Sequence, residues 1–152
     1  MGIQSASVAG KDAGTNLLES LEVPLIPDSD LETLQSFNGH GSITLSAYLR
    51  LDTPERRKSA YDEFLQQMNL RLDECDPKPE CREALKEDMD IVGMYLRTNG
   101  RRDYAGLAIF SCATELFWRV YPLTVSLPNH VSVGPEFDVA PLEQALEKTA
   151  AR

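Results

Sequence analysis

Apolar positions recur along the chain at two periods, and the switches between them predict the elements. The densest run is YAGLAIFSCATELFWRVYPL, from Tyr104 to Leu123. Leu107 to Cys112 is largely apolar on both faces, as a strand covered on both sides would be. Ala113, Thr114 and Glu115 form a short, turn-like link. The pattern then alternates, with Leu116, Trp118 and Val120 pointing one way and Phe117, Arg119 and Tyr121 the other. This predicts an antiparallel hairpin with Leu107, Ile109, Phe110 and Trp118 largely buried. The hairpin holds the only Trp and two of the five Phe, which makes it the expected centre of the core.

Residues 1–27 read as an N-terminal arm, and residues 28–152 as one domain. Asp28 or Ser29 can cap a short helix through Phe37, with Leu31 and Leu34 inward, stopped by Asn38-Gly39-His40-Gly41. Ile43 to Leu51 reads as a strand with Ile43, Leu45, Ala47 and Leu49 on one face. Thr53-Pro54 supplies the N-cap and first residue of a helix whose stripe is Tyr61, Phe64, Leu65, Met68 and Leu72. Arg56, Arg57, Asp62, Glu63 and Gln66 occupy its opposite face. After a break at Asp73–Pro79, a second helix runs to Thr98 with Cys81, Leu85, Met89, Val92 and Leu96 as its stripe, and Asn99-Gly100 ends it. Pro122 and Pro128 bound a connection to a short last strand, His130–Val133. A final helix starts at Pro141 with Leu142, Ala145 and Leu146 inward. The expected fold is an α/β (α+β) sandwich: one mixed sheet of about four strands with helices packed against it.

A chain of 152 residues can bury one real core, and a net charge of −9 bears on its partners. Such a chain is repelled by nucleic-acid phosphates unless a local basic patch overrides the field, so DNA is not an expected partner. No apolar run approaches the ~20 residues needed to span a bilayer, and without a charged region followed by an apolar stretch in MGIQSASVAGKDAGTN no signal peptide is expected. Ala6 stands where N-myristoylation wants Ser or Thr. Three cysteines, Cys75, Cys81 and Cys112, are an odd number without an export signal. They read as reduced thiols in a cytoplasmic protein.

Candidate chemistry is sparse. Cys75 and Cys81 stand six positions apart, wider than zinc ligand pairs usually are, and Cys81 falls on an apolar stripe. Cys112 ends a buried strand. His40 lies between two glycines and His130 opens a strand, and neither has a sequence neighbour that would orient it as a general base. The acidic residues Asp62, Glu63, Asp73, Glu74, Asp76, Glu80, Glu83, Glu87, Asp88 and Asp90 read as solvated helix faces and loop. No catalytic residue, metal ligand or cofactor is expected. The basic clusters are Arg56-Arg57-Lys58 and Arg97 with Arg101-Arg102. The first stands at a helix N-terminus, against the macrodipole, and suggests an anionic partner.

The layout resembles the N-terminal domain of the archaeal and eukaryotic class-one peptide-chain release factors, and in particular their bacterial and archaeal homologues of uncharacterised role. The likeness rests on ITLSAYL (43–49), DMDIVGMYL (88–96), AGLAIFSC (105–112), ELFWRVYPL (115–123) and PEFDVAPLEQAL (135–146), and covers about residues 40 to 149. In such factors a middle domain bearing Gly-Gly-Gln follows and triggers peptidyl-tRNA hydrolysis, with a third domain after it. This sequence has no adjacent glycines and reads as the first domain alone. The eukaryotic factors read stop codons through Asn-Ile-Lys-Ser between the two helices. Here Asp73-Glu74-Cys75-Asp76-Pro77-Lys78-Pro79-Glu80 fills that place, with a net charge of −3. Of their Tyr-x-Cys-x-x-x-Phe motif only Phe137 matches.

The resemblance therefore implies a non-catalytic binding domain of a release-factor-like protein, associated with the ribosome or with translation quality control, with the ribosome or tRNA as partner of the full-length protein and no stop-codon reading. Contacts are expected at Arg56, Arg57, Lys58, Arg101 and Arg102. Two other classes stay open: an acidic protein-interaction domain unrelated to the ribosome, and a small enzyme using cleft carboxylates or Cys112.

Overall fold

Strands and helices follow one another along residues 26–74, 79–99 and 104–150, the part of the chain that the computed structural model describes. The order is α1 (Asp28–Ser36), β1 (Thr44–Arg50), α2 (Pro54–Glu74), α3 (Pro79–Asn99), β2 (Gly106–Cys112), a 3-10 turn (Ala113–Glu115), β3 (Phe117–Leu123), β4 (His130–Gly134) and α4 (Ala140–Ala150). The four strands form one open sheet in the order β3-β2-β1-β4, giving the α+β architecture that the pattern predicts. The predicted arm, apart from Ile26 and Pro27, lies outside the described residues.

The sheet is antiparallel throughout rather than mixed. The helix pair explains this. One crossover helix returns a chain parallel to its starting strand, whereas two antiparallel helices add a reversal, so β2 enters opposite to β1.

Both faces of the sheet are covered. Leu45, Ala47, Leu49, Leu107, Ile109 and Val131 pack on one side against Phe64, Met68 and Leu72 of α2 and Leu85, Val92 and Leu96 of α3. On the other, Tyr48, Ala108, Phe110 and Cys112 meet Leu34 of α1 and Leu142 and Ala145 of α4. Each fully buried large apolar side chain contributes about 1.5–3 kcal/mol. Every residue of β2 is buried, as its unbroken apolar run implies. The helices approach closely at Gly93, where an added Cβ would stand 3.0 Å from the Tyr61 ring.

The hairpin pairs β2 with β3 in the register Ile109↔Val120 and Phe110↔Arg119. Leu107, Ile109 and Phe110 are buried as expected, but Trp118 is only half-buried, edge-on to Tyr95. Leu116 is not a strand residue. It caps the 3-10 turn at φ 55° and is 94% exposed. Pro122 lies inside β3, not in the connection after it. It is tolerated because β3 is an edge strand and Pro122 is paired with Leu107 at a position whose missing N–H would point away from β2. The link to β4 crosses over Gly106, where a Cβ would meet Val125 O at 2.8 Å, and Leu127 plugs the α1–α4 face.

Two helix starts differ in their chemistry. Thr53 Oγ1 accepts from Arg56 N–H at 3.1 Å, as the Thr-Pro pair predicts. In α1 neither Asp28 nor Ser29 is the cap. Pro27 holds that position without a side-chain bond, and Asp28 and Asp30 fall in the first turn, where their charge suits the dipole.

Candidate functional site

The basic cluster sits where β1 hands over to α2. Its three cations have different surroundings. Arg57 Nη1 donates to Leu51 O at 2.9 Å, fastening the helix start to the strand end. Arg56 Nη1 lies 3.5 Å from Glu63 Oε1, two turns along. Lys58 is exposed. Glu63 also accepts from Ser59 Oγ at 2.8 Å and from Asn129 Nδ2, while Asn129 Oδ1 accepts from Arg50 N–H at 2.7 Å. One carboxylate thus offsets the cations that the macrodipole disfavours, and ties α2 to the loop before β4.

Arg50 Nε donates to Asp52 Oδ1 at 2.8 Å on the same surface. That bond holds the Asp52 carboxyl below its ordinary value and raises the Arg50 guanidinium.

The antiparallel helix pair adds a fourth cation. Arg97, near the end of α3, stacks 5.4 Å from the centre of the Tyr61 ring, one turn beyond Lys58. Arg56, Lys58 and Arg97 gather at the end where α2 begins, interleaved with exposed Glu55 and Asp62, and exposed Asp73 and Glu74 lie at the other. At that far end Arg82 Nη1 donates to Leu72 O at 3.2 Å, and Arg71 Nη2 is 3.4 Å from Glu74. Arg101, Arg102, the loop 75–78 and the Cys75 and Cys81 side chains lie outside the described residues.

The remaining reactive groups are dispersed. Each histidine has an orienting carboxylate that sequence proximity does not reveal: His40 Nδ1 meets Glu115 Oε1 at 3.2 Å, and His130 Nε2 meets Asp138 Oδ2 at 2.9 Å. The two pairs flank opposite ends of β1. Cys112 is a free, buried thiol, 3.5 Å from Ile43 O, and burial pushes its pKa up, away from the thiolate a nucleophile needs. Among the described residues no three His, Cys, Asp or Glu side chains gather as metal ligands would. Nor is any described helix long and apolar enough to cross a membrane.

Asp88 corrects the picture of a solvated acidic helix face. It is fully buried, and its Oδ1 accepts from Ser111 Oγ at 2.5 Å and from Ala113 N–H at 2.9 Å. A signal was present: Asp88 stands three residues after Leu85 and four before Val92, on the apolar stripe itself.

No protein-family model matches the sequence, and no curated protein matches it. Solved structures of similar fold are found. The crystal structure of the archaeal translation termination factor aRF1 superposes with a TM-score of 0.62 at 16% identity, over 78% of this chain and 33% of that one. The fold is release-factor-like. A second structure, described only as an archaeal protein, superposes with a TM-score of 0.59 at 16% identity, over 79% of this chain and 34% of its own. The release-factor-like unit thus spans about a third of the length of either structure.

Proposed function

We propose that this chain is a non-catalytic binding domain of a release-factor-like protein, acting with the ribosome or with tRNA held there, and that it does not read stop codons. The observation that carries the reading is the superposition on a translation termination factor across 78% of the chain. The cluster of cations at the start of α2 supports the reading. Phosphate binding draws its affinity from cations that release counterions. Arg56, Lys58 and Arg97 supply them at one end, joined by Arg57, and Arg101 and Arg102 are proposed as further contacts. Asp73 and Glu74 repel phosphate at the other, where a codon-reading relative would carry its motif. Arg57 contributes charge while its Nη1 is bound to Leu51 O.

The test is co-sedimentation of the chain with ribosomes across a salt series. Arg56→Glu/Lys58→Glu and Arg101→Glu/Arg102→Glu should each weaken binding and flatten its salt dependence, by roughly 0.7–0.9 in log–log slope for each phosphate that is no longer neutralised. Asp73→Lys/Glu74→Lys should not weaken it. Binding that depends on the stop codon, or that survives both basic pairs, would reverse the assignment.

One observation favours a second reading, an acidic protein-interaction domain. The outer face of α3 exposes Met94 (60%) and Ile91 (41%) beside exposed Glu87 and Asp90. Ribosome binding that is absent even at low salt would move the balance to that reading.

A further inference from the structure

Ile91 and Met94 on α3 are 41% and 60% exposed. With Leu116, at the end of the turn that Asp88 anchors to α3, they are three of the four exposed large apolar side chains among the described residues. One turn beyond Ile91 stands Tyr95, half-buried, with its ring edge-on to Trp118 at 5.7 Å between centres. Trp118 and Val120 are half-buried on β3, an edge strand of the sheet. Apolar surface therefore runs from the outer side of α3 down to that edge.

Carboxylates border it. Glu83, Glu87 and Asp90 are all exposed. At 3.6 residues per turn they fall within about 60° of one another around α3, on the side of Met94. The cations of the same helix lie on its other flank, toward α2. Arg97 stacks there on Tyr61, and exposed Lys86 stands about three turns before it.

We propose that this face docks a basic amphipathic helix of a partner protein, with apolar anchors on Ile91, Met94 and Trp118 and a flank of Lys or Arg beside Glu83, Glu87 and Asp90. The apolar residues and the carboxylates both follow α3 at a helical period, so a helix lying along α3 keeps step with them. The partner is basic because charges across an interface select their opposites. An added strand fits worse, since Pro122 leaves the β3 edge short of an N–H group. A second copy also fits worse, since it would set the same carboxylates against each other in a chain that carries −9. This surface gives the protein-interaction reading its partner, and it shares no residue with the cations assigned to the ribosome.

The test is selection on the full chain from a phage-displayed helical bundle with one helix face randomised and tryptophan excluded, followed by titration with the selected bundles. Trp118 is the only tryptophan of the chain, so its fluorescence reports this face directly. The expected helices carry apolar residues at i, i+3 or i+4 and i+7 with Lys or Arg beside them. They shift Trp118 emission to the blue and shield it from acrylamide. Ile91→Ser/Met94→Ser and Glu87→Lys/Asp90→Lys should each weaken binding about tenfold or more. Circular dichroism verifies that both variants fold, and Trp118 in the unaltered chain gives an independent reading. Selected helices that leave Trp118 unchanged, that carry no excess of Lys and Arg, or that bind both variants as tightly overturn this surface while leaving the protein-interaction reading standing. A selection that enriches nothing overturns both. A free chain that sediments as a dimer and exposes Trp118 only on dilution assigns the face to self-pairing and overturns the proposal as well.

Discussion

Ser111 Oγ lies 2.5 Å from Asp88 Oδ1, joining the end of β2 to the middle of α3 where both residues are shut away from water. The same oxygen receives Ala113 N–H, so one carboxylate anchors the start of the hairpin turn. Its second oxygen has no partner among the described residues.

Burial raises the Asp88 carboxyl above its ordinary 3.8, against the opposing bonds from Ser111 and Ala113. The native state therefore keeps this proton to higher pH than the unfolded chain does. The contribution of Asp88 to stability falls as pH rises from about 3.8 through the raised value. Asp88→Asn should remove that segment of the profile, so urea midpoints of wild type and variant diverge as pH rises above about 3.8. Asp88→Ala strands the Ser111 hydroxyl and the Ala113 N–H and should cost about 2–3 kcal/mol. Parallel profiles for wild type and Asp88→Asn would exclude the buried charge as their cause.

Phe110 is fully buried and packs edge-on against Tyr48, Tyr121 and Phe137. Phe110→Ala empties the middle of that ring cluster and should cost about 3–5 kcal/mol in chemical denaturation. A loss below 1 kcal/mol would mean that the cluster collapses into the space.

Tyr48 donates to Asp138 O at 2.6 Å and Tyr121 to Asp30 Oδ2 at 2.8 Å. Burial is the main reason both phenols ionise above their ordinary 10.0. Folding holds these protons, so stability falls once pH exceeds 10. In an alkaline absorbance titration both phenols should ionise only together with unfolding, and Tyr48→Phe or Tyr121→Phe should each reduce that late step by one phenol. A smooth titration of every tyrosine in the folded chain would contradict this.

Leu116 combines a left-handed backbone with almost complete exposure. Replacement loses no burial, while the αL conformation costs a β-carbon-bearing residue roughly 1–2 kcal/mol. Leu116→Gly should therefore raise stability by about 0.5–1 kcal/mol, after the extra entropy that glycine loses on folding. A lower melting temperature would show that the leucine has a contact of its own.

The helix pair and the last helix were legible because each buries one face and so carries a single period, and β2 because its apolar run marks a strand covered on both faces. What escaped the pattern is pairing between distant segments. Nothing in HVSVG says that it joins β1 at the far edge, since strand order depends on where the six-residue link from β3 can cross. Pro122 reads as a breaker until the edge on which it lies is known. Asp88 reads as solvent-facing because charge outweighs position in a pattern reading, although its spacing placed it on the stripe. Arg57 looks like one of three equal cations, and only the nearby Leu51 carbonyl distinguishes it. The contact surface at α2 was legible in its charges, but the convergence of Arg97 on Tyr61 required the antiparallel helix pair.

β1 is the first strand of the sheet to be made and the last to be completed. It lies at the centre of the order, and its partner across Thr44 is Gly134, 90 positions later. Its other neighbour, β2, arrives only after the whole helix pair. At a synthesis rate of about 5–20 residues per second, β1 waits on the order of ten seconds for β4 to be made. Through that interval Thr44 and Ser46, which end fully enclosed, depend on water for their hydrogen bonds. During synthesis one side of β1 therefore stays unpaired until the final strand arrives, a consequence of the long stretch of sequence between the two.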